Sequence, residues 1–194
     1  MFNSFARLDM LESHPLIDVL QEGWDGDNLH SVSELTLRVG AIKGSPFAKF
    51  RNLQSLSIME SNLNFISAHA LEVGQKTVNT LGPLNINLHE NKLNSSSFEV
   101  GSLSNIALIS GRKNVKLTLS TNQIVYLDEN VFLPFLKGSG NALNLYNNTL
   151  LDCDDCKSAW ICKQPERLQM AINSCMCKDH NMLNNCESNF KKCI

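Results

Sequence analysis

The chain has 194 residues, a length sufficient for one domain with a substantial hydrophobic core. Hydrophobic residues make up 43% and charged residues 19%, which argues against a disordered segment, and the net charge is only −2. We therefore expect no nucleic-acid partner, and because no apolar run is long enough to span a bilayer, we expect no membrane span.

Residues 1–28 lie outside the repeating pattern that follows them. Their apolar residues recur at roughly helical spacing, and turn-forming residues around Trp24 end the segment. We predict a helical or irregular flank that covers the open edge of the first repeat. No basic segment leads into an apolar run of signal-peptide length, so an exported protein would need a start that precedes Met1.

Residues 29–150 carry an internal repeat. The leucine-rich template L-x-x-L-x-L-x-x-N-x-L is matched by three copies that place Asn91, Asn122 and Asn148 at its asparagine position. Two earlier copies have Gly40 and Ser61 there. The pattern predicts an α/β leucine-rich-repeat solenoid of about five repeats. Short parallel strands would line its concave side, with irregular loops or short helices on its convex side.

The asparagine position has a physical meaning, because a carboxamide both donates and accepts hydrogen bonds. We predict that the three asparagines form a ladder that satisfies backbone groups left unpaired where each strand turns. Glycine cannot do this and serine can do it only weakly, so the first two repeats should be the least regular. Phe98 and Val100 are predicted either to pack on the convex side or to supply an extra degenerate strand, and Phe132 and Phe135 are predicted to fill the core.

The concave face is predicted from the residues that alternate with the core leucines. It is small, polar and mixed in charge, which suits hydrogen bonding to a protein or a glycan. Ordinary solvated positions are the alternative interpretation for any single residue. The favoured partner-binding candidates, chosen with the enrichment of aromatics and arginine at interfaces in mind, are Arg38, Asn87, His89, Lys116 and Tyr146.

No hydrolase, phosphate-loop, metalloprotease or dinucleotide motif occurs, so we predict no catalytic residue and no cofactor. His89 and Glu90 are adjacent, but strand alternation would point them to opposite sides and prevent an acid–base pair. Two N-glycosylation sequons begin at Asn94 and Asn147. Asn94 should lie on a loop and is the favoured acceptor, whereas Asn147 adjoins the ladder and is expected to be less accessible.

All seven cysteines lie in the final segment, residues 151–194. One interpretation is a zinc site in a reducing compartment, because Cys153-x-x-Cys156 and Cys175-x-Cys177 have ligand spacing and His180 is close. The other is a disulfide-rich C-terminal cap of a secreted protein. The repeats before the segment favour the cap, with no bound metal.

The run from Asn148 through Cys153 and Cys156 to Trp160 resembles the C-terminal cap of extracellular leucine-rich-repeat proteins. With the segment around Phe132 it is similar, over roughly residues 80–193, to an arthropod family named after the non-catalytic subunit of the Oplophorus-luciferin 2-monooxygenase. The resemblance implies a secreted protein with no catalytic residues of its own.

The resemblance also implies that Cys153 and Cys156 pair with cysteines of the later group, from Cys175 to Cys193, and not with each other. Cys153, Cys156, Cys175 and Cys193 are therefore expected to form disulfides. Cys162, Cys177 and Cys186 complete the set, and an odd number of cysteines leaves one without a partner.

From sequence, the function is therefore predicted to be non-enzymatic protein binding through the concave face of a secreted repeat protein. An accessory role beside an enzyme subunit is one form of this function. The alternative is a cytosolic repeat protein with a zinc-binding C-terminal segment.

Overall fold

The structure is a computed structural model. It describes residues 6–9, 17–20, 31–74, 83–104, 106, 114–148, 152–153, 156–173, 177, 186, 190 and 192–193. Within these residues the protein is an α/β fold whose parallel strands form two sheets. The connections between the strands carry short helices and turns.

The larger sheet has seven parallel strands in an order that follows the chain, apart from the strands of the second sheet. Its strands are β1 (Ala6–Asp9), β3 (Val32–Leu37), β5 (Ser55–Ile58), β7 (Asn85–Asn87), β8 (Lys116–Thr118), β9 (Ala142–Asn144) and β10 (Ile172–Asn173). Each of the central strands buries the leucine or isoleucine at its middle and leaves the side chains on either side at least partly accessible. One face of the sheet is therefore core, and the other is open.

The smaller sheet contains β2 (Ile17–Leu20), β4 (Val39–Ile42) and β6 (Phe65–Ile66), again all parallel. Leu20, Ile42 and Ile66 are buried on its inner face. An isolated parallel bridge from Ile66 to Phe98 carries the pairing one repeat further along the chain. The core lies between the two sheets and the connecting segments.

The prediction of a helical flank is wrong where the structure describes these residues. Residues 6–9 pair with β3 and residues 17–20 pair with β4, so the flank adds one strand to each sheet. A parallel edge strand offers a row of unpaired N–H and C=O groups, which favours strand addition over a packed helix. The remainder of residues 1–28 lies outside the described residues.

The chain after β3 differs from the chain after the later strands at its turn. Strands β3 and β4 are separated by Arg38 alone, and Gly40 lies inside β4. Where later repeats place an asparagine turn, the chain continues as extended backbone and enters the second sheet. Gly40 has no side chain that could bridge to a neighbouring turn.

Helix α1 (Glu129–Leu136) connects β8 to β9. Asp128 caps its first turn by accepting a hydrogen bond from the Asn130 N–H at 2.8 Å. Phe132 and Phe135 are buried as expected, and the Phe132 ring meets Phe98 edge to face with centroids 5.4 Å apart. The helix thus closes the core opposite the open face of the sheet.

Val100 is an exception to the expected packing, because 66% of it is exposed. It follows the buried Phe98 by two residues and lies at the start of a turn, where strand alternation no longer determines its direction. Among the described residues, no helix has the length and apolar character needed to cross a bilayer.

Candidate interaction surface

The open face of the larger sheet, called the outer face below, is arranged in three rows by the strand register. The first row runs across the residues Glu34, Ser55, Asn85, Lys116 and Ala142. The second row consists of Thr36, Ser57, Asn87, Thr118 and Asn144. A third row lies just beyond the ends of the strands and contains Arg38, Met59, His89, Ser120 and Tyr146. Contacts connect its members, since Arg38 and Met59 line one cleft and His89 meets Ser120.

The structure therefore places all five candidate residues on one face, although in different rows. Lys116 is exposed in the first row and Asn87 is half-buried in the second. Arg38, His89 and Tyr146 share the third row, with Arg38 and Tyr146 at its two ends. Neighbouring strands are about 4.8 Å apart, so these two ends are separated by roughly 19 Å.

The middle of the third row is held by side-chain contacts. The His89 Nδ1 atom lies 2.8 Å from the Ser120 hydroxyl oxygen. Beside it, the side-chain nitrogen Nδ2 of Asn87 donates to the Met59 sulfur at 2.9 Å. The side-chain oxygen Oδ1 of Asn87 accepts from the His89 backbone N–H at 3.1 Å. These contacts restrict the rotamers of half-buried side chains before any ligand arrives.

The prediction that His89 and Glu90 diverge is wrong. The His89 Nε2 atom lies 3.5 Å from the Glu90 carboxylate. Strand β7 ends at Asn87, and Glu90 has a φ of 54°, so strand alternation no longer applies and the left-handed turn brings the carboxylate back toward the ring. Glu90, His89 and Ser120 consequently form a continuous polar chain.

The exposed ends of the row differ in chemistry. Tyr146 is 61% exposed, and its backbone N–H is held by the Asn144 side chain at 3.0 Å. At the other end, a cleft of about 270 Å³ is lined by Thr36, Arg38, Met59 and Glu60. An aromatic ring and a guanidinium thus flank a partly buried centre.

A second groove, called the turn groove, follows the edge of the outer face where the chain turns. It has a volume of about 520 Å³ and includes Lys92 and Gln123. The residue before each ladder position lines it in a left-handed backbone conformation, with φ between 50° and 58°: these residues are Glu60, Glu90, Thr121 and Asn147. Sequence analysis missed this groove because no glycine marks the left-handed positions.

Asn91 bridges two repeats through both ends of its carboxamide. The oxygen accepts from the backbone N–H groups of Ser61 at 3.1 Å and Leu63 at 3.0 Å. The nitrogen donates to the carbonyl of Ile58 at 2.7 Å, in the preceding repeat, and to that of Leu88 at 3.1 Å. The side chain is buried, so these bonds replace water at the turn.

The same arrangement recurs at the next two turns. Asn122 accepts from the Leu93 N–H at 3.0 Å and donates to the Leu88 carbonyl at 2.9 Å. Asn148 accepts from the Ile124 N–H at 3.1 Å. Each carboxamide joins its own turn to the backbone at or just beyond the end of the preceding strand of the larger sheet, and this fixes the spacing of the residues that line the turn groove.

The C-terminal segment contributes to the same sheet and does not form a separate unit. A 3-10 helix (Cys156–Lys163) and helix α2 (Glu166–Met170) lead into strand β10, which pairs with β9. Trp160 is buried. Three disulfides tie the segment together, joining Cys153 to Cys177, Cys156 to Cys193 and Cys162 to Cys186.

The implied pairing of Cys153 and Cys156 with later cysteines, and not with each other, agrees with these bonds. The assignment of Cys175 to a disulfide requires correction. The other six cysteines form three disulfide pairs. Cys175 is therefore the seventh cysteine, left over from the pairs, and it lies outside the described residues. The zinc alternative loses the thiolates of Cys153, Cys156 and Cys177, because a sulfur in a disulfide is not a thiolate ligand. His180 lies outside the described residues.

The two sequon asparagines are both exposed. Asn94 accepts from the Ser96 N–H at 2.8 Å in a local turn. Asn147 was expected to be less accessible, but it lies at the surface and donates to the Thr121 hydroxyl at 3.3 Å. The left-handed conformation of Asn147 turns its side chain away from the buried Asn148 beside it.

Neither a scan against protein-family models nor a search among curated proteins finds a match to this chain.

Proposed function

We propose that this chain is a secreted leucine-rich-repeat protein that binds another protein through its outer face and catalyses no reaction itself. The observation that carries the proposal is the repeated turn. Three buried asparagines at the template position bridge successive repeats, and the strands between them are short and parallel. This combination is what the leucine-rich template requires physically.

The outer face supports binding because its geometry is fixed by regular elements. The strands hold the three rows in register, and the bonds of Asn87 and His89 restrict the centre. A surface that is ordered before contact loses less conformational entropy on binding. Arg38 and Tyr146 are the expected energetic anchors, since arginine and tyrosine are enriched among interface residues that dominate affinity.

The Glu90, His89 and Ser120 chain contains the residue types of a hydrolytic triad, which makes catalysis the competing hypothesis. Two observations oppose it. Ser120 is only 6% exposed, and the Glu90 carboxylate lies 3.5 Å from the imidazole, which is longer than an orienting hydrogen bond. We therefore propose that these three polar side chains order the outer face.

The compartment follows from the disulfides, which indicate an oxidising environment. Secretion belongs to the proposal, together with glycosylation at Asn94. The resemblance to the Oplophorus-luciferin 2-monooxygenase non-catalytic subunit family supports a role as an accessory subunit, in which the protein partner would be a separate catalytic chain.

The test is affinity capture with the folded, oxidised protein, using the extracellular fraction of its source, followed by titration of variants against the captured partner. Arg38→Ala and Tyr146→Ala should each weaken binding by about 1–3 kcal/mol, because each removes an anchor without disturbing the core. Lys163→Ala is the matched control, since Lys163 is exposed on the C-terminal 3-10 helix away from the outer face.

Substitution of Arg38 and Tyr146 could leave the affinity unchanged while substitutions in the C-terminal cap lower it. That result would show that the outer face is not the binding surface. Turnover of a substrate by the purified chain alone would contradict the non-enzymatic part of the proposal.

A further inference from the structure

A second concave surface lies on helix α1, on the side of the molecule opposite the outer face. It is a groove of about 490 Å³ lined by Val100, Glu129, Asn130, Leu133, Pro134, Lys137 and Gly138. Val100 is 66% exposed and Leu133 is partly buried against the core. The groove therefore has an apolar floor between charged and polar ends, and the outer-face proposal gives it no role.

The charges of the groove are arranged symmetrically along the helix. Glu129 precedes Leu133 by four residues, and Lys137 follows Leu133 by four. Residues at this spacing lie on one side of a helix, and all three line the groove. Glu129 and Lys137 are exposed, so the helix presents a stripe that is acidic at one end, apolar in the middle and basic at the other.

Such a stripe is complementary to itself when it is reversed. A two-fold axis through Leu133 pairs two α1 helices antiparallel and places Glu129 of each chain opposite Lys137 of the other. It also places the Leu133 side of each helix against the apolar floor of the partner's groove. A two-fold interface requires that the same surface serve both partners, and this stripe meets the requirement in both charge and hydrophobicity.

We propose that the α1 groove is a homodimer interface whose occupant is helix α1 of a second copy of this chain. Helix α1 has eight residues and is about 12 Å long, so its charged ends stay within reach of the partner's ends even when the helices cross at an angle. The patch is smaller than the roughly 800 Å² per partner of stable interfaces, so the dimer is weak and dependent on concentration.

The interface goes beyond the proposed binding function and does not depend on it. Buried Phe132 and Phe135 separate the groove from the sheet, whose opposite side carries the outer face. A dimer formed through α1 leaves both outer faces open. Two linked faces would bind a partner that carries repeated sites more tightly than one face does, without any additional contact.

The test is sedimentation analysis of the oxidised, full chain over a wide range of concentrations. The parent protein should move from monomer to dimer as its concentration rises. Glu129→Lys and Lys137→Glu should each weaken the dimer by about tenfold or more, because symmetry converts two attractive pairs into two repulsive ones. High salt should weaken the parent dimer and should ease the repulsion in the variants.

The decisive measurement is an equimolar mixture of the two single variants. In the heterodimer, the lysine introduced at position 129 of one chain faces the glutamate introduced at position 137 of the other. The unchanged Lys137 and the unchanged Glu129 form the second attractive pair. The mixture should therefore associate when neither variant does alone, and the double variant Glu129→Lys with Lys137→Glu should also dimerise.

Matched controls are Lys163→Glu and Glu166→Lys, which make the same charge changes on exposed residues of the C-terminal segment. They should leave association unchanged, as should Arg38→Ala and Tyr146→Ala on the outer face. A parent chain that stays monomeric at every concentration overturns the proposal. A dimer that the α1 variants leave intact also overturns the proposal. A dimer that the outer-face variants disrupt overturns it as well, and would indicate self-association through the outer face.

Discussion

Trp160 donates its indole N–H to the carbonyl oxygen of Leu127 across 2.8 Å, and both residues are buried. The backbone N–H of the same Leu127 is taken up by the Ser158 hydroxyl at 3.0 Å. Both polar groups of one buried peptide position are thus satisfied by side chains of the C-terminal 3-10 helix. The C-terminal segment is joined to the connection between β8 and α1 by directed hydrogen bonds as well as by apolar contact.

Trp160→Phe keeps an aromatic ring in place, removes the donor and makes the buried side chain smaller. The variant should lower the free energy of unfolding by about 1–3 kcal/mol, because it leaves a buried carbonyl without a partner. Ser158→Ala should cost a similar amount by leaving the Leu127 N–H unpaired. Chemical denaturation of the oxidised proteins measures both effects. A Trp160→Phe protein as stable as its parent would mean that the bond contributes nothing to holding the cap.

The ladder predicts a different pattern of sensitivity. Asn122→Ala should destabilise the protein by roughly 1–3 kcal/mol, because the buried Leu93 N–H loses its partner and the Leu88 carbonyl keeps only the bond from Asn91. Gly40→Ala should remove no ladder bond, and Gly40 is not among the positive-φ glycines of the described residues, so no left-handed strain is added. Urea melts of the two variants should separate clearly. Equal stability for Asn122→Ala and the parent would contradict the repeat assignment at that turn.

These outcomes also mark what could be inferred from sequence. The asparagine spacing predicted which residues lie at the turns, because leucine alternation and a carboxamide at a constant offset are visible in one chain. The Glu90 position could not be predicted, since alternation holds only inside the strand and β7 ends at Asn87. The prediction for Val100 was wrong for the same reason. The strands at residues 6–9 and 17–20 could not be predicted, because they form by pairing with sheet edges far along the sequence.

The disulfides give a prediction that distinguishes bonded cysteines from the seventh. Replacing Cys162 and Cys186 together by serine opens a connection between residues 24 apart and should cost about 3 kcal/mol in the chain-entropy estimate. Cys175→Ser should keep all three bonds. Peptide mapping without reduction should find Cys153 joined to Cys177 and Cys156 to Cys193, and should find Cys175 as the alkylated thiol. Recovery of Cys175 in an intrachain disulfide would refute this connectivity.

Glycosylation can be checked at a single hydroxyl. Asn94 is exposed and its sequon ends in the exposed Ser96, so secretion from eukaryotic cells should add a glycan there. Ser96→Ala should remove this glycan while leaving Asn94 and the buried Ser95 unchanged, and Ser96→Thr should retain it. Intact-mass measurement before and after enzymatic deglycosylation reports both results. An unmodified Asn94 in the secreted parent would remove the glycoprotein part of the proposal.

The contact between His89 and Ser120 separates binding from catalysis. If Ser120 orders the outer face, Ser120→Ala should loosen the His89 ring and weaken partner binding by about 0.5–1.5 kcal/mol, the usual net value of one hydrogen bond. The parent should hydrolyse an activated ester such as p-nitrophenyl acetate no faster than Ser120→Ala does. His89→Asn is a useful companion, because it shortens the side chain and breaks the link to Glu90. Ester hydrolysis that disappears in both variants, with binding unchanged, would reverse the assignment and identify the polar chain as a nucleophile and its base.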